Sequence, residues 1–190
     1  MSIIQKIKWF RRKLSWNKNF KNGKWDHIGN EHLRYNEVVN LIKDTQIKNL
    51  KILDLGCGYG TLNHHLTKIE YDLCIGIDWS SNAIERAKKE NFKNSTFIVH
   101  DIQNYKPNQK FDVIIFNEVL YYLDNKISVI ENYVPFLKDD GYFLFSFYRI
   151  RKDLIDEINK KYELVRFSNV KQEENLFWGV CLFKSPPAKT

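Results

Sequence analysis

The segment Lys51-Ile52-Leu53-Asp54-Leu55-Gly56-Cys57-Gly58-Tyr59-Gly60 constrains this chain more than any other. An apolar run that stops in alternating glycines reads as a buried strand entering a tight turn. In α/β sheets such strand-to-helix turns hold nucleotide-like ligands at the carboxyl edge. The glycines here take the first, third and fifth places, whereas a turn that brings a helix N-terminus to a pyrophosphate places them first, third and sixth. Asp54, two residues before Gly56, would repel a phosphate and attract a cation. The turn points to a positively charged ligand without phosphates.

Leu73 to Ile77 form a second short apolar run ending in Asp78, an acid placed to accept both hydroxyls of a ribose. Val99-His100-Asp101-Ile102 and the run from Phe111 to Leu120 follow in order. With DLGCGYG and IGIDWS, these segments resemble a class I S-adenosylmethionine-dependent methyltransferase of the small-molecule type, over about residues 50 to 147. The resemblance implies S-adenosylmethionine as cofactor and S-adenosylhomocysteine as product. It brings the backbone of Gly56 and Gly58 to the methionine part, Asp54 to its ammonium end and Asp78 to the ribose. Trp79 and Ile102 would flank the adenine and Asp101 would meet its amino edge, with Cys57 and Asn117 completing the set. Glu31, Arg34 and Tyr35 resemble an Arg-Tyr pattern in which the Tyr reaches over the bound cofactor.

Methyl transfer from a sulfonium is an in-line displacement, so the protein must align three atoms and, for some acceptors, remove a proton. Asn117-Glu118-Val119-Leu120-Tyr121-Tyr122 follows the fourth apolar run and belongs at the ligand-binding edge of the sheet. Many small-molecule members carry a His base where this chain has Tyr122. A phenol of pKa about 10 is a weak base at neutral pH. An amine that enters neutral is one answer, and a base supplied by Glu118, His27 or His32 is another. His64 and His65 are expected to be structural. EVLYYL resembles nodulation-factor-type sugar N-methyltransferases, and the expected acceptor is a sugar nucleotide or glycan precursor methylated on N or O. Trp16, Phe20, Trp25, Tyr121, Tyr122 and Phe147 would form an aromatic entrance for it, with lysines nearby for a phosphate. The alternatives are a quinone or lipid head group at the membrane surface, or a non-catalytic S-adenosylmethionine-binding protein. Asp124 alone follows strand four, too little for a metal site, so none is expected.

At 190 residues, 43% of them hydrophobic, the chain suits one core. Cys57, Cys74 and Cys181 are too few and too scattered for a disulfide framework, which points to a reduced, cytoplasmic protein, either monomer or homodimer. The net charge of +7 is concentrated: Lys6, Lys8, Arg11, Arg12, Lys13, Lys18, Lys21 and Lys24 all precede the first acid, Asp26. The remainder is nearly neutral, which argues against a nucleic-acid groove. Ile3, Ile7, Phe10 and Leu14 recur at helical spacing, so residues 2 to 14 read as an amphipathic helix with Trp9 near its apolar face. It would serve as a lid over the cofactor cleft or as a peripheral contact with the inner membrane face. Asn17 to Asn30 read as an ordered loop.

The expected organisation is a helical lid or arm at 1–45 and an S-adenosylmethionine-binding catalytic domain at 46–190. The expected fold is α/β, a doubly wound, mostly parallel seven-stranded sheet closed by an antiparallel C-terminal hairpin. Parallel strands are placed near 51–55, 73–77, 96–99, 111–116 and 141–147, and the hairpin at 163–170 and 176–183. Helices are expected near 31–42, 60–69, 80–90, 125–137 and 153–160. Ser80 would cap one of them, Gly141 would turn the chain into strand five, and residues 186–190 read as disordered.

Overall fold

The computed structural model describes residues 3–184, and of residues 3–6, 8 and 9 the backbone alone. The expected tail at 186–190 and the place of the Trp9 side chain lie outside the described residues. Seven strands form one sheet: β1 (Leu50–Leu55), β2 (Tyr71–Asp78), β3 (Ser95–Val99), β4 (Phe111–Asn117), β5 (Leu137–Tyr148), β6 (Glu163–Glu173) and β7 (Leu176–Lys184). Their order is β3-β2-β1-β4-β5-β7-β6, parallel as far as β5, with β7 antiparallel to both β5 and β6. The doubly wound sheet with its antiparallel hairpin is therefore as expected.

Six α-helices accompany it among the described residues: α1 (Ile3–Lys21), α2 (His32–Asp44), α3 (Thr61–Leu66), α4 (Ser81–Lys89), α5 (Lys126–Tyr133) and α6 (Lys152–Asn159). Alternation along the strands divides the core. Ile52, Val113, Ile115 and Leu144 face Tyr35, Val38, Leu41 and Ile42 of α2. Leu53, Ile114, Phe116, Phe143 and Phe145 face Val129, Ile130 and Tyr133 of α5 and Leu154, Ile155 and Ile158 of α6. A central parallel strand must be apolar on both faces, and β4 reads Phe-Asp-Val-Ile-Ile-Phe for that reason. Ser80 caps α4 by accepting from the Ala83 N–H at 3.2 Å.

Three local expectations are corrected. The first helix does not stop near residue 14 but runs to Lys21, followed by a turn and a 3₁₀ segment at Asp26–Asn30. Arg12, Trp16 and Phe20, four apart, give it a second stripe that packs over the sheet edge, and this contact outweighs a composition rich in Asn and Lys. Strand five begins at Leu137, not at Gly141. Its pairing with β4 slips between Leu137 and Tyr142, and the intervening residues bulge so tightly that a Cβ on Gly141 would lie 2.7 Å from Leu137 Cγ. Phe147 is fully buried in the core, stacked on Phe145 with ring centroids 6.1 Å apart. Strand alternation turns its neighbour Ser146, and not Phe147, toward the ligand-binding edge.

Candidate active site

β1 and β4 are adjacent in space, with β2 and β5 on their outer sides, so the chain reverses its winding between them. A crevice opens at the carboxyl ends of such a pair. Here it is a cavity of about 370 Å³. Its floor is the glycine turn after β1. Gly56 has φ 80°, and a Cβ there would sit 2.6 Å from Val119 Cγ2 in the loop after β4, so only glycine lets the two strand ends meet. The Gly58 N–H donates to Asp78 Oδ2 at 3.1 Å and the Ser80 N–H to Asp78 Oδ1 at 2.8 Å, which ties the end of β2 to the turn.

Two buried acids flank this turn. Asp54 is 1% exposed, and its Oδ1 has no hydrogen-bond partner among the described residues. Burial first, then the charge of Asp78, pushes its pKa up to about 7, against the pull of Arg34. Burial also raises Asp78 to about 6, against the hydrogen bonds from Ser80 and Gly58. Arg34 is 1% exposed and lines the same cavity. Its Nε and Nη2 donate to Glu31 Oε2 at 3.0 and 2.5 Å, and its Nη1 donates to Asn117 Oδ1. Burial opposes its charge, but Tyr35, Glu118 and Glu31 together hold the guanidinium protonated well above its ordinary range.

The wall after β4 is a connected polar unit. Glu118 Oε2 accepts from Tyr121 OH at 2.7 Å and from the Tyr148 N–H at 3.1 Å, while Oε1 lies 3.0 Å from Ser146 Oγ. Ser146 Oγ also lies 2.6 Å from Asn117 Oδ1. Burial raises the Glu118 pKa, opposed by Arg34, Tyr121 and Ser146. The Tyr121 phenol is driven far above its ordinary range by burial and then by the Glu118 carboxylate. Burial raises Tyr122 as well. Glu118 therefore holds the wall in place, and the two phenols are poor proton acceptors at neutral pH.

Helix α1 packs against both the wall after β4 and the glycine turn. Trp16 stacks on Trp25 with centroids 5.0 Å apart and meets Tyr122 edge-on at 4.7 Å. Phe20 meets Tyr59 edge-on at 5.0 Å. Arg12 Nη1 reaches Tyr122 O at 3.4 Å and Asp124 Oδ2 at 3.5 Å. Asn17 pins the helix down: its Oδ1 accepts from Ser80 Oγ at 2.8 Å and from the Asn82 N–H at 3.1 Å, at the start of α4. Asp26 adds a second fastening, accepting from Tyr59 OH at 2.7 Å and Arg86 Nη1 at 2.6 Å.

Comparison with known proteins bears on this arrangement. A family described as a methyltransferase domain matches residues 46–181. The chain belongs to that family. The malonyl-[acyl-carrier protein] O-methyltransferase of Bacillus cereus is 32% identical over 113 residues, covering 57% of this chain and 42% of that protein. Nodulation protein S of Azorhizobium caulinodans is 35% identical over 100 residues, covering 50% of this chain and 47% of its own length. The chain spans about half the length of the curated relatives it matches. The crystal structure of the plantazolicin methyltransferase BpumL with a pentazolic analogue and SAH superposes at a TM-score of 0.71, with 17% identity over 96% of this chain and 99% of that one.

Within this methyltransferase domain the residues fit S-adenosylmethionine. The buried Asp54 oxygen without a partner suits an ammonium group, and the Arg34 guanidinium suits a carboxylate. Each Asp78 oxygen takes one backbone N–H and keeps acceptor capacity for a hydroxyl. Tyr35, Asp54, Gly56, Cys57, Gly58, Asp78, Trp79, Asp101, Ile102 and Asn117 all line the cavity. Asp101 also caps its own turn, accepting from the Gln103 N–H at 2.9 Å and from Asn104 Nδ2 at 3.0 Å. Glu118, Tyr121, Tyr122 and His27 line it too. His32 stands apart, exposed, its ring 5.7 Å from that of His65. Arg12 and Tyr59 line the cavity without a site role having been read for them from the sequence, and Arg34 and His100, which stood there only inside quoted segments with no role of their own, line it too. His27 and His100 each point Nδ1 at a backbone carbonyl, at 3.0 and 3.1 Å, so the neutral ring donates there and carries its lone pair on Nε2.

Proposed function

We propose that this domain transfers a methyl group from S-adenosylmethionine to a nitrogen or oxygen of a small molecule, and that the acceptor is sugar-derived, a sugar nucleotide or glycan precursor. The observation that carries the reading is that one cavity is lined both by a buried acid pair, Asp54 and Asp78, and by an aromatic wall, Trp16 with Tyr122. The acids suit a cationic cofactor carrying a ribose. The wall offers a flat surface for a sugar or ring face, and Arg12 at its edge suits a phosphate.

The nucleophile is one that needs little help in losing a proton. Glu118 is occupied by donors and the phenols of Tyr121 and Tyr122 are raised, so an amine that enters neutral, or an oxygen already ionised, matches the site best. Nε2 of His27 or His100 is the base where one is required. One relative is named as an O-methyltransferase, of malonyl-[acyl-carrier protein], which keeps an oxygen acceptor in view beside the amine. S-adenosylmethionine supplies the activated methyl group. Tyr35, Asp54, Arg34 and Asp78 hold the cofactor, while Asn117 and Glu118 orient the wall that the acceptor meets.

The test is a mass-spectrometric transfer assay with S-adenosylmethionine and a panel of sugar nucleotides, amino sugars, small amines, carboxylates and quinols. One acceptor of the sugar class gaining a single methyl group, with an amine preferred over its hydroxyl analogue, is the expected result. Transfer to quinols alone refutes the sugar assignment. Cofactor binding without transfer to any class favours a non-catalytic binding protein.

A further inference from the structure

Helix α1 has two faces, and the cavity uses only one. Arg12, Trp16 and Phe20 point into the site, whereas Ile7, Phe10 and Leu14, on another side of the helix, are 49%, 55% and 53% exposed. Phe10 and Leu14 border a shallow groove with Trp79 and Val99, and Val99 at the edge strand β3 is itself 42% exposed. Isolated exposed apolar residues need no explanation, but Phe10, Leu14 and Val99 around one groove, with Ile7 one turn before Phe10, are a patch. The charges beside it have one sign: Arg11 and Lys18 flank the stripe and are exposed, and no acid occurs in α1.

We infer that the outer face of α1, through Ile7, Phe10, Leu14 and Val99 with Arg11 and Lys18 beside them, docks on the surface of an anionic lipid bilayer. Charge complementarity selects the occupant. A helix with an apolar stripe set among cations lies in the interface plane of such a surface, with its apolar side chains between the head groups. No helix among the described residues is long and apolar enough to cross a membrane, so the contact is lateral. It would place the aromatic wall beneath the lipid-facing helix while leaving the fastenings of Asn17 and Asp26 in place.

The experiment is sedimentation of the full chain with large unilamellar vesicles of phosphatidylcholine alone or with about one third phosphatidylglycerol, at low salt and in half-molar salt. Pelleting with the anionic vesicles only, and its loss in high salt, is expected. Each cation near an anionic leaflet is worth roughly a fivefold change in partition, so the Arg11→Ser, Lys18→Ser double variant should bind roughly twenty-five-fold more weakly. The Phe10→Ser, Leu14→Ser variant should lose roughly tenfold or more. Both should keep the wild-type circular dichroism, melting temperature and S-adenosylmethionine affinity, since neither touches the cavity. Absence of pelleting with anionic vesicles at low salt overturns the proposal, as does pelleting unchanged in both variants. Sedimentation velocity of lipid-free protein closes the remaining case: self-association abolished by Phe10→Ser, Leu14→Ser would assign the face to a second copy and overturn it too.

Discussion

Replacing Asp54 by Asn should make the cofactor-free protein more stable and the cofactor complex weaker, a combination that only a buried, ligand-directed charge produces. In the folded chain the Asp54 carboxyl is raised from 3.8 to about 7. At about 1.4 kcal/mol per unit, keeping it ionised in the absence of a ligand costs on the order of 4 kcal/mol as an upper bound, part of it shared with Asp78. The sign follows from linkage. A carboxyl whose folded pKa lies above its unfolded value binds its proton more tightly in the native state, so its contribution to stability is complete below about pH 4 and is lost as the pH rises through 7. Wild-type protein without cofactor should therefore lose on the order of 2–4 kcal/mol between pH 5 and pH 8, measured by urea unfolding. Asp54→Asn should be flatter over this range and more stable than wild type at pH 8. Isothermal titration at pH 8 should show its S-adenosylmethionine affinity about ten- to a hundredfold lower, through loss of a charge-assisted contact. A variant that is less stable than wild type at pH 8, or that binds the cofactor as tightly, would refute the reasoning.

Asp78→Ala removes the acceptor of the Gly58 and Ser80 N–H groups and, on the proposed reading, the ribose partner as well; cofactor affinity should fall by roughly 1.5–3 kcal/mol, and unchanged binding in titration would remove its proposed role. Asn17→Ala should cost about 1–2 kcal/mol locally, so hydrogen exchange should accelerate in α1 while β4 stays protected, and uniform acceleration would mean that Asn17 supports the whole fold. Glu118→Gln keeps a side-chain acceptor for Tyr121; if Glu118 positions the wall, kcat should fall by less than about tenfold with its pH profile unshifted, whereas loss of one limb of that profile would make Glu118 the base. Tyr35→Phe should reduce catalysis while leaving the melting temperature within about 2 °C, because the ring and its stacking on His65 remain, and an equal loss of both would make the hydroxyl structural.

The sheet was legible because its signals are local. An apolar run such as Val113-Ile114-Ile115-Phe116 has few solutions other than a strand buried on both faces, and Gly56 and Ser80 mark their turn and cap by chemistry that a few neighbours determine. What escaped depends on contacts distant in sequence. Asn17 reads as a helix breaker, yet it sits inside α1 because Ser80 and Asn82, more than sixty positions away, take up its polar atoms. Arg34 stands in the sequence only as the neighbour of Tyr35 in an Arg-Tyr pattern, and only the fold places Asn117 against it, 83 positions along. One miss was avoidable. The parity of β5 already separates Ser146 from Phe147, and a strand with Phe143, Phe145 and Phe147 on one face leaves Ser146 on the other.

The joint between the two halves of the site explains why Glu118 tolerates its backbone. Its φ of 58° is in the left-handed region, which a non-glycine residue occupies at a cost of order 1–3 kcal/mol unless its surroundings compensate. Here they do: its N–H faces Ser146 Oγ at 3.1 Å and its carboxylate collects Tyr121 and the Tyr148 N–H. The kink directs the chain back across the sheet edge, so that Val119 lies where a Cβ on Gly56 would collide with it. The glycine turn and the Glu118 kink are then two sides of one contact. A change that relaxes the kink moves Val119 against the cofactor turn, and a side chain at position 56 pushes the acceptor wall outward. Cofactor affinity and acceptor alignment should therefore fail together in Gly56→Ala, even though the added methyl group belongs to the cofactor side alone.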